Sequence, residues 1–270
     1  MRVAAKDWLI GTEESCGVTA SVVMAARPAE PVAQGSFELG YVSEDQVEHW
    51  APVGVALTVP LERCAPVRRF TAKKGQRHLS GLWWSATTGG HVGFESWLER
   101  DHVMVLDFDP VVVGIASQPF WLSWTDEAGK RVSHAPDFFA RHTDGTAVVI
   151  DCRPVERRGP RDVIKFDATE RACALVGWEY RLVGALDVFL VGNLRWLGGY
   201  RHPRHRLPEV EGLLRAVFTT PTPLMAGAGL AGDPIAVLPV LFHLLWRGEL
   251  CADLSVPLHP GTVVSVLAAT

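Results

Sequence analysis

The sequence predicts an α/β fold: a helix, a three-stranded meander, a second helix and a further strand, in that order between residues 91 and 184. Segment 94–108 (FESWLERDHVMVLDF) sets Phe94, Leu98 and Val105, with Trp97 and Met104, at the spacing of an amphipathic helix. Segments 111–124, 131–141 and 146–153 are rich in Val, Ile, Phe and Trp, and turn residues at 126–130 and 143–145 separate them. Segment 161–176 is again helical and closes on Gly177, a residue suited to the left-handed position beyond a helix end, before strand 178–184.

Residues 1–90 form an N-terminal extension that is β-rich over 36–70, where GVALTVPLE (54–62) reads as an apolar strand stopped by Pro60. Residues 70–92 resemble a loop leading into the first helix. Residues 185–270 are mainly helical, with candidates at 208–218 and 233–250, and end in two short strands around His259-Pro260-Gly261. Helices followed by a small hairpin are the outline of a winged helix, and a helical lid fits the same pattern.

Composition excludes several classes. The 270 residues are 48% hydrophobic and 21% charged, with a net charge of −4, which suits an ordinary globular protein and counts against a basic nucleic-acid coat protein. The five cysteines are scattered and never in CxxC spacing, which argues against a disulfide framework or zinc ribbon and fits a reducing compartment. The longest apolar run, Ile235 to Trp246, is too short to span a bilayer. A cytoplasmic protein without membrane contact is the expectation. Neither GxxxxGK[ST] nor GxGxxG nor G-x-S-x-G occurs, so nucleotide hydrolysis and serine chemistry lack their usual signatures.

Chemistry enters with four acids. Glu95 and Glu99 lie one turn apart on the first predicted helix, while Asp137 and Asp151 lie in facing strands. Aspartate is depleted from strand interiors, and a buried acid there needs partners or a metal. Carboxylates converging from a helix and a hairpin are what a Mg²⁺-dependent nuclease requires, because Mg²⁺ takes hard oxygen ligands and completes its shell with water and substrate phosphate. Register decides whether the aspartates meet. A two-residue loop at Asp144-Gly145 would set Asp137 opposite Cys152. A three-residue loop, Thr143-Asp144-Gly145, sets His142 opposite Thr146 and Asp137 opposite Asp151, and it wants a left-handed Gly at its third position, where Gly145 stands. The metal reading predicts the three-residue loop. In the bland alternative Glu99 pairs with Arg100, Asp137 caps a turn and Asp151 bridges to Arg153.

Pro136-Asp137, thirteen further residues and then Asp151-Cys152-Arg153 resemble the PD-(D/E)xK signature of a restriction-endonuclease-like core. The longer pattern ESWLE…LDFDPVVVGIASQPFWL…HAPDFF…DGTAVVIDCRP…GWEYRLVG is similar to the TnsA family, the endonuclease subunits of Tn7-like heteromeric transposases. The likeness covers residues 91–184, runs more loosely through 185–270, and offers nothing for 1–90. It implies a Mg²⁺-dependent endonuclease (Mn²⁺ as substitute) acting on double-stranded DNA at transposon ends. A DDE transposase and an AAA+ regulator would be its partners, with the winged-helix-like tail as docking module. It further implies that Glu99, Asp137 and Asp151 bind metal together with the backbone carbonyl of Cys152, with Glu95 as second candidate, and that Gln118, of the Gln-Pro step, positions substrate. Arg157, Arg158 and Arg161 form a basic cluster suited to DNA phosphate, as do Arg68-Arg69 with Lys73-Lys74 and Arg201-Arg204-Arg206.

The sequence departs from the family at one position: Arg153 stands where the motif has lysine. Lysine can shed a proton, whereas arginine stays charged and can only hold phosphate or stabilise developing charge. Lys165 on the next helix is a displaced amine or a solvated side chain. Two other readings therefore stay open, a nuclease-fold protein that binds DNA or assembles complexes without cutting, and a nuclease of defence or repair. His202 and His205 have metal-like spacing but lack a third ligand, and Trp83-Trp84 suits packing better than base stacking.

Overall fold

A computed structural model describes residues 36–68 and 80–267. In chain order its elements begin with strands β1 (Glu38–Val42), β2 (Glu48–Pro52), β3 (Gly81–Trp84) and β4 (His91–Phe94), then helix α1 (Trp97–Phe108). Strands β5 (Val112–Ser117), β6 (Trp121–Thr125), β7 (Arg131–His134), β8 (Phe138–His142) and β9 (Ala147–Cys152) follow, then α2 (Pro160–Leu175) and β10 (Glu179–Val183). The chain closes with α3 (Val188–Leu197), α4 (Pro208–Val217), β11 (Thr222–Pro223), α5 (Leu224–Ala231), α6 (Pro234–Trp246), β12 (Leu250–Ala252) and β13 (Val263–Val266). The protein is a mixed α/β chain whose described residues divide into two compact units, 36–106 with 111–185, and 107–110 with 186–267.

The first unit is built on two four-stranded sheets. One has the order β10-β9-β8-β5: β5, β8 and β9 form an antiparallel meander, and β10 runs parallel to β9 after the α2 crossover. The other has the order β2-β1-β6-β7, so the β6–β7 hairpin is a detour from the meander into a second sheet. Side-chain alternation assigns two cores. Phe138, Ala140, Val148 and Ile150 pack with Leu98, Val103 and Leu106 of α1. Phe139, Ala147 and Val149 face the other way, onto Ala168, Ala172 and Cys173 of α2 and onto Phe37, Leu39, Leu61 and Phe120.

Several expectations need correction. The described part of the 1–90 extension, 36–68 and 80–90, is no separate piece: β1 pairs with β6, and Phe37, Leu39 and Leu61 complete the α2-side core. The run at 54–62 is two 3-10 turns, Val53–Thr58 and Leu61–Arg63, because Gly54 and Pro60 interrupt it. The stretch before the first helix holds the β3–β4 hairpin, with Trp83 opposite Val92. The first helix begins at Trp97, three residues later than its apolar spacing suggested, since Phe94 pairs with Gly81 in that hairpin. Segment 111–124 breaks at Pro119, as its proline predicts, whereas 131–141, expected as one strand, divides at Pro136; at each a missing N–H and a fixed φ end pairing. Arg69, Lys73 and Lys74 lie outside the described residues.

The second unit combines α3 to α6 with a three-stranded sheet of order β11-β13-β12, whose strand β11 falls between α4 and α5. β12 and β13 are the hairpin expected around His259-Pro260-Gly261. α6 is almost wholly buried beyond its first turn, and no single helix among the described residues is long and apolar enough to cross a membrane.

Candidate acidic site

The β8–β9 hairpin has the three-residue loop. His142 donates its amide to the Thr146 carbonyl at 2.9 Å, Gly145 donates to the His142 carbonyl at 3.0 Å, and Gly145 is left-handed at φ +83°. The observed pairs, from Arg141 with Ala147 to Phe138 with Ile150, extend by one step to Asp137 opposite Asp151. Asp137 itself lies in the bend just before β8, not mid-strand as expected, and its Oδ2 accepts the Cys152 amide at 2.7 Å.

Asp151 is 2% exposed and heavily partnered. His134 Nε2 sits 2.8 Å and 3.0 Å from its two carboxylate oxygens, and Tyr180 donates its hydroxyl to Oδ2 at 2.9 Å. Neither partner was expected from the sequence; His134 lies three residues before Asp137 and Tyr180 follows the α2 crossover. Burial and the Asp151 charge push the Tyr180 phenol far above its usual range, so it is a permanent donor. Cys173 on α2 is likewise pushed up, to about 12, by burial and by Asp151.

Glu99 is also buried, but as a helix cap. The run Ser96-Trp97-Leu98-Glu99 is a capping box in spacing: the Glu99 amide donates to Ser96 Oγ at 3.3 Å, and Ser96 Oγ donates to Glu99 Oε1 at 2.5 Å. The reciprocal backbone bond comes from the Glu95 amide, 2.5 Å from Glu99 Oε2. The S-x-x-E spacing could have announced this role. Glu95 precedes the helix instead of sharing its face, and its carboxylate pairs with Arg68 at 2.5 Å.

These acids feel one another. Burial, then the charge of Asp151, raise Asp137 to about 7, against a bond from the Cys152 amide and the charges of Arg68 and His134 that lower it. Burial, then Asp137, hold Glu99 well above the carboxylate range. Asp137 is thus the middle member of an electrostatic row Glu99–Asp137–Asp151, and the one with the fewest donors. Yet no group of three or more His, Cys, Asp or Glu side chains among the described residues is gathered in a metal-binding arrangement. The expected three-acid cage of Glu99, Asp137 and Asp151 is not closed here: two of the three carboxylates are committed to protein donors.

The remaining expected residues fall outside that row. Arg153 donates to Asp162 Oδ2 at 3.1 Å and to the Arg157 carbonyl at 3.3 Å, so it neither bridges to Asp151 nor reaches for the acids. Arg157 and Arg161 are exposed and Arg158 is half-buried, its Nε bonded to the Arg153 carbonyl. These arginines flank the N-terminus of α2, a favourable place for phosphate. Gln118 is 0% exposed, which corrects its assignment as a DNA contact: an enclosed side chain does not reach a duplex. Arg100 pairs with Asp101 at 2.9 Å and stacks on Trp97, not on Glu99. His202 accepts the Arg204 amide, and His205 stacks near Tyr200; the two make no metal group. Models of known protein families and curated proteins give no match to this chain.

Proposed function

We propose that this protein is a metal-dependent DNA endonuclease of the TnsA type, with a restriction-endonuclease-like core and Asp137 at the centre of its site. The observation that carries the reading is the row of coupled acids on a helix–meander–helix–strand frame, with Asp137 held near neutrality by burial and by a neighbouring carboxylate. Perturbed acids of this kind cluster where chemistry is done. The donor set suits Mg²⁺ or Mn²⁺ in an open form. Mg²⁺ commonly takes one or two carboxylates and keeps its waters, and positive charge beside Asp137 relieves the crowding that raises its pKa. Asp137 would hold the ion, with Glu99, Asp151 and the Cys152 carbonyl flanking it. When bound, the ion supplies charge neutralisation at a phosphodiester and a nucleophile at neutral pH.

The chain's own residues do the rest. His134 and Tyr180 hold the Asp151 carboxylate in place. The capping bonds fix Glu99, and the Cys152 amide orients Asp137. Arg157 and Arg161, beside the α2 N-terminus, hold DNA phosphates. Arg153, tied to Asp162, is no proton acceptor and acts as a further phosphate contact. An apolar cavity of about 440 Å³ in the C-terminal unit, lined by Phe189, Trp196, Met225, Leu238 and Phe242 among others, supports the docking role for that unit toward a transposase or ATPase partner.

Supercoiled plasmid with Mg²⁺ or Mn²⁺ tests the reading. Nicking by the wild type, alone or with its partner proteins, and none by Asp137→Asn is expected; equal nicking by both defeats it. A second reading, a nuclease-fold subunit that binds DNA without cutting, is favoured by the engagement of Arg153 with Asp162 and of Asp151 with His134 and Tyr180. It requires DNA affinity that falls with salt but is indifferent to chelation and to Asp137→Asn.

A further inference from the structure

The positive charge of the C-terminal unit is gathered at one place in the chain. Four of its six arginines, Arg195, Arg201, Arg204 and Arg206, stand within twelve residues, and no aspartate or glutamate falls between Asp187 and Glu209. Ordinary surface intersperses both signs. The parts that a winged helix lays on DNA, its last helix and its hairpin loop, carry no such charge here. α6 (PIAVLPVLFHLLW) has neither lysine nor arginine and is buried from Val240 to Trp246, and the β12–β13 loop, residues 253–262, has neither as well. The arginine-rich segment is pinned to the core beneath it. Two 3-10 turns, Gly198–Tyr200 and Pro203–His205, shape it. Buried His243 donates its Nδ1–H to the Tyr200 carbonyl at 2.7 Å, and the Tyr200 ring lies 4.9 Å from Phe242 and 5.3 Å from His205. Arg201 turns inward, donating to the Gly198 carbonyl and facing the charge of Asp107.

Arg204 and Arg206 are exposed. Arg204 has no carboxylate partner among the described residues; its Nε donates to His205 Nε2 at 3.3 Å, and its amide donates to His202 Nδ1 at 3.0 Å. Arg206 bonds Glu211 at 3.3 Å, but Arg215 holds the same carboxylate at 2.6 Å, and Arg215 and Arg247 together occupy Glu249. Three guanidiniums thus share two carboxylates, so positive charge is left over beside unpaired Arg204. We propose that Arg204 and Arg206 form a second DNA-contacting surface, which grips the phosphodiester backbone of a duplex without reading its sequence. Guanidinium suits this task because its planar fork matches phosphate oxygens, and such contacts position a protein on DNA while specifying no base. The inference rests on the reading that the protein acts on DNA, not on a cation at Asp137, and it adds to Arg157 and Arg161 a contact carried by the other unit.

The test is fluorescence anisotropy with two short duplexes of unrelated sequence, across a salt series and without divalent ions, beside thermal melting. The proteins are full-length wild type, Arg204→Ala, Arg204→Lys and the double variant Arg204→Ala/Arg206→Ala. Each lost phosphate contact should lower the slope of log affinity against log salt by about 0.9. Arg204→Ala is therefore expected to lose about 0.9 and the double variant about 1.8, equally on both duplexes, while Arg204→Lys keeps the wild-type slope. The melting temperature of Arg204→Ala should match wild type, since that side chain has no ion pair to lose. A wild-type slope in the double variant overturns the proposal. So does a loss confined to one duplex, which would mean base reading, or a loss shared by Arg204→Lys, which would mean that charge is not the cause. Wild type that binds neither duplex defeats the DNA reading along with this surface. Absent nicking with the expected slopes defeats the nuclease reading alone.

Discussion

At the residue scale, the acids differ in what holds them, and their variants separate accordingly. Asp151 is buried with two donors, so Tyr180→Phe removes a hydrogen bond to a charged group and should cost about 1.5–3 kcal/mol in urea denaturation. An unchanged midpoint would show that the hydroxyl contributes nothing. Asp137 runs the opposite way. Its folded pKa, about 7, lies above the ordinary aspartate value of 3.8, so the folded state binds the extra proton between those limits and loses stability as pH rises through them. Without divalent ions, wild type should therefore lose on the order of 1–3 kcal/mol relative to Asp137→Asn between pH 4 and pH 8, allowing for solvent screening of a partly exposed group. Parallel pH profiles for the two proteins would count against the crowding. Sequence pattern made Asp137 and Asp151 visible because aspartate is rare in strands. His134 and Tyr180 were invisible: one stands on a strand of the other sheet, the other beyond a crossover helix, and no local spacing connects them to Asp151.

At the scale of elements, the hairpin between β8 and β9 was legible to the residue. Gly145 supplies the left-handed corner that a three-residue loop demands, and the loop then fixes which side chains face each other. Gly145→Ala should cost about 1 kcal/mol through that positive φ, and a neutral effect would mean the loop relaxes to another form. The N-terminus of α1 was misread for a physical reason: Glu95 and Glu99 satisfy a helical spacing, but Phe94 gains more by pairing in the β3–β4 hairpin, and the helix starts only after the Ser96 cap. Glu99→Gln keeps the bonds that cap α1 and removes the charge. A cap-only role predicts unchanged divalent-ion affinity; a share in the metal site predicts a loss measurable by titration, with little change in melting temperature. Apolar run 54–62 fails as a strand because Gly54 and Pro60 break it into two short 3-10 turns.

At the scale of the whole molecule, the order helix, meander, helix, strand followed from periodicity alone, whereas the second sheet did not. β1 and the β6–β7 hairpin meet across more than eighty residues, and only burial of Phe37, Leu39 and Phe120 in a shared core explains the detour. Given the acidic balance of the chain, net −4, the proposed DNA binding falls to local clusters such as Arg157 and Arg161. Charge reversal of both should reduce DNA affinity and flatten its salt dependence by about two units of slope, as read by fluorescence anisotropy across a salt series; an unaltered slope would place the duplex elsewhere. Whether Asp137 anchors a divalent cation among these neighbouring acids is decided by calorimetric Mg²⁺ titration at pH 8 of wild type and Asp137→Asn. A saturable site is expected in the wild type and absent from Asp137→Asn. Identical titrations, or no site in either, would contradict it.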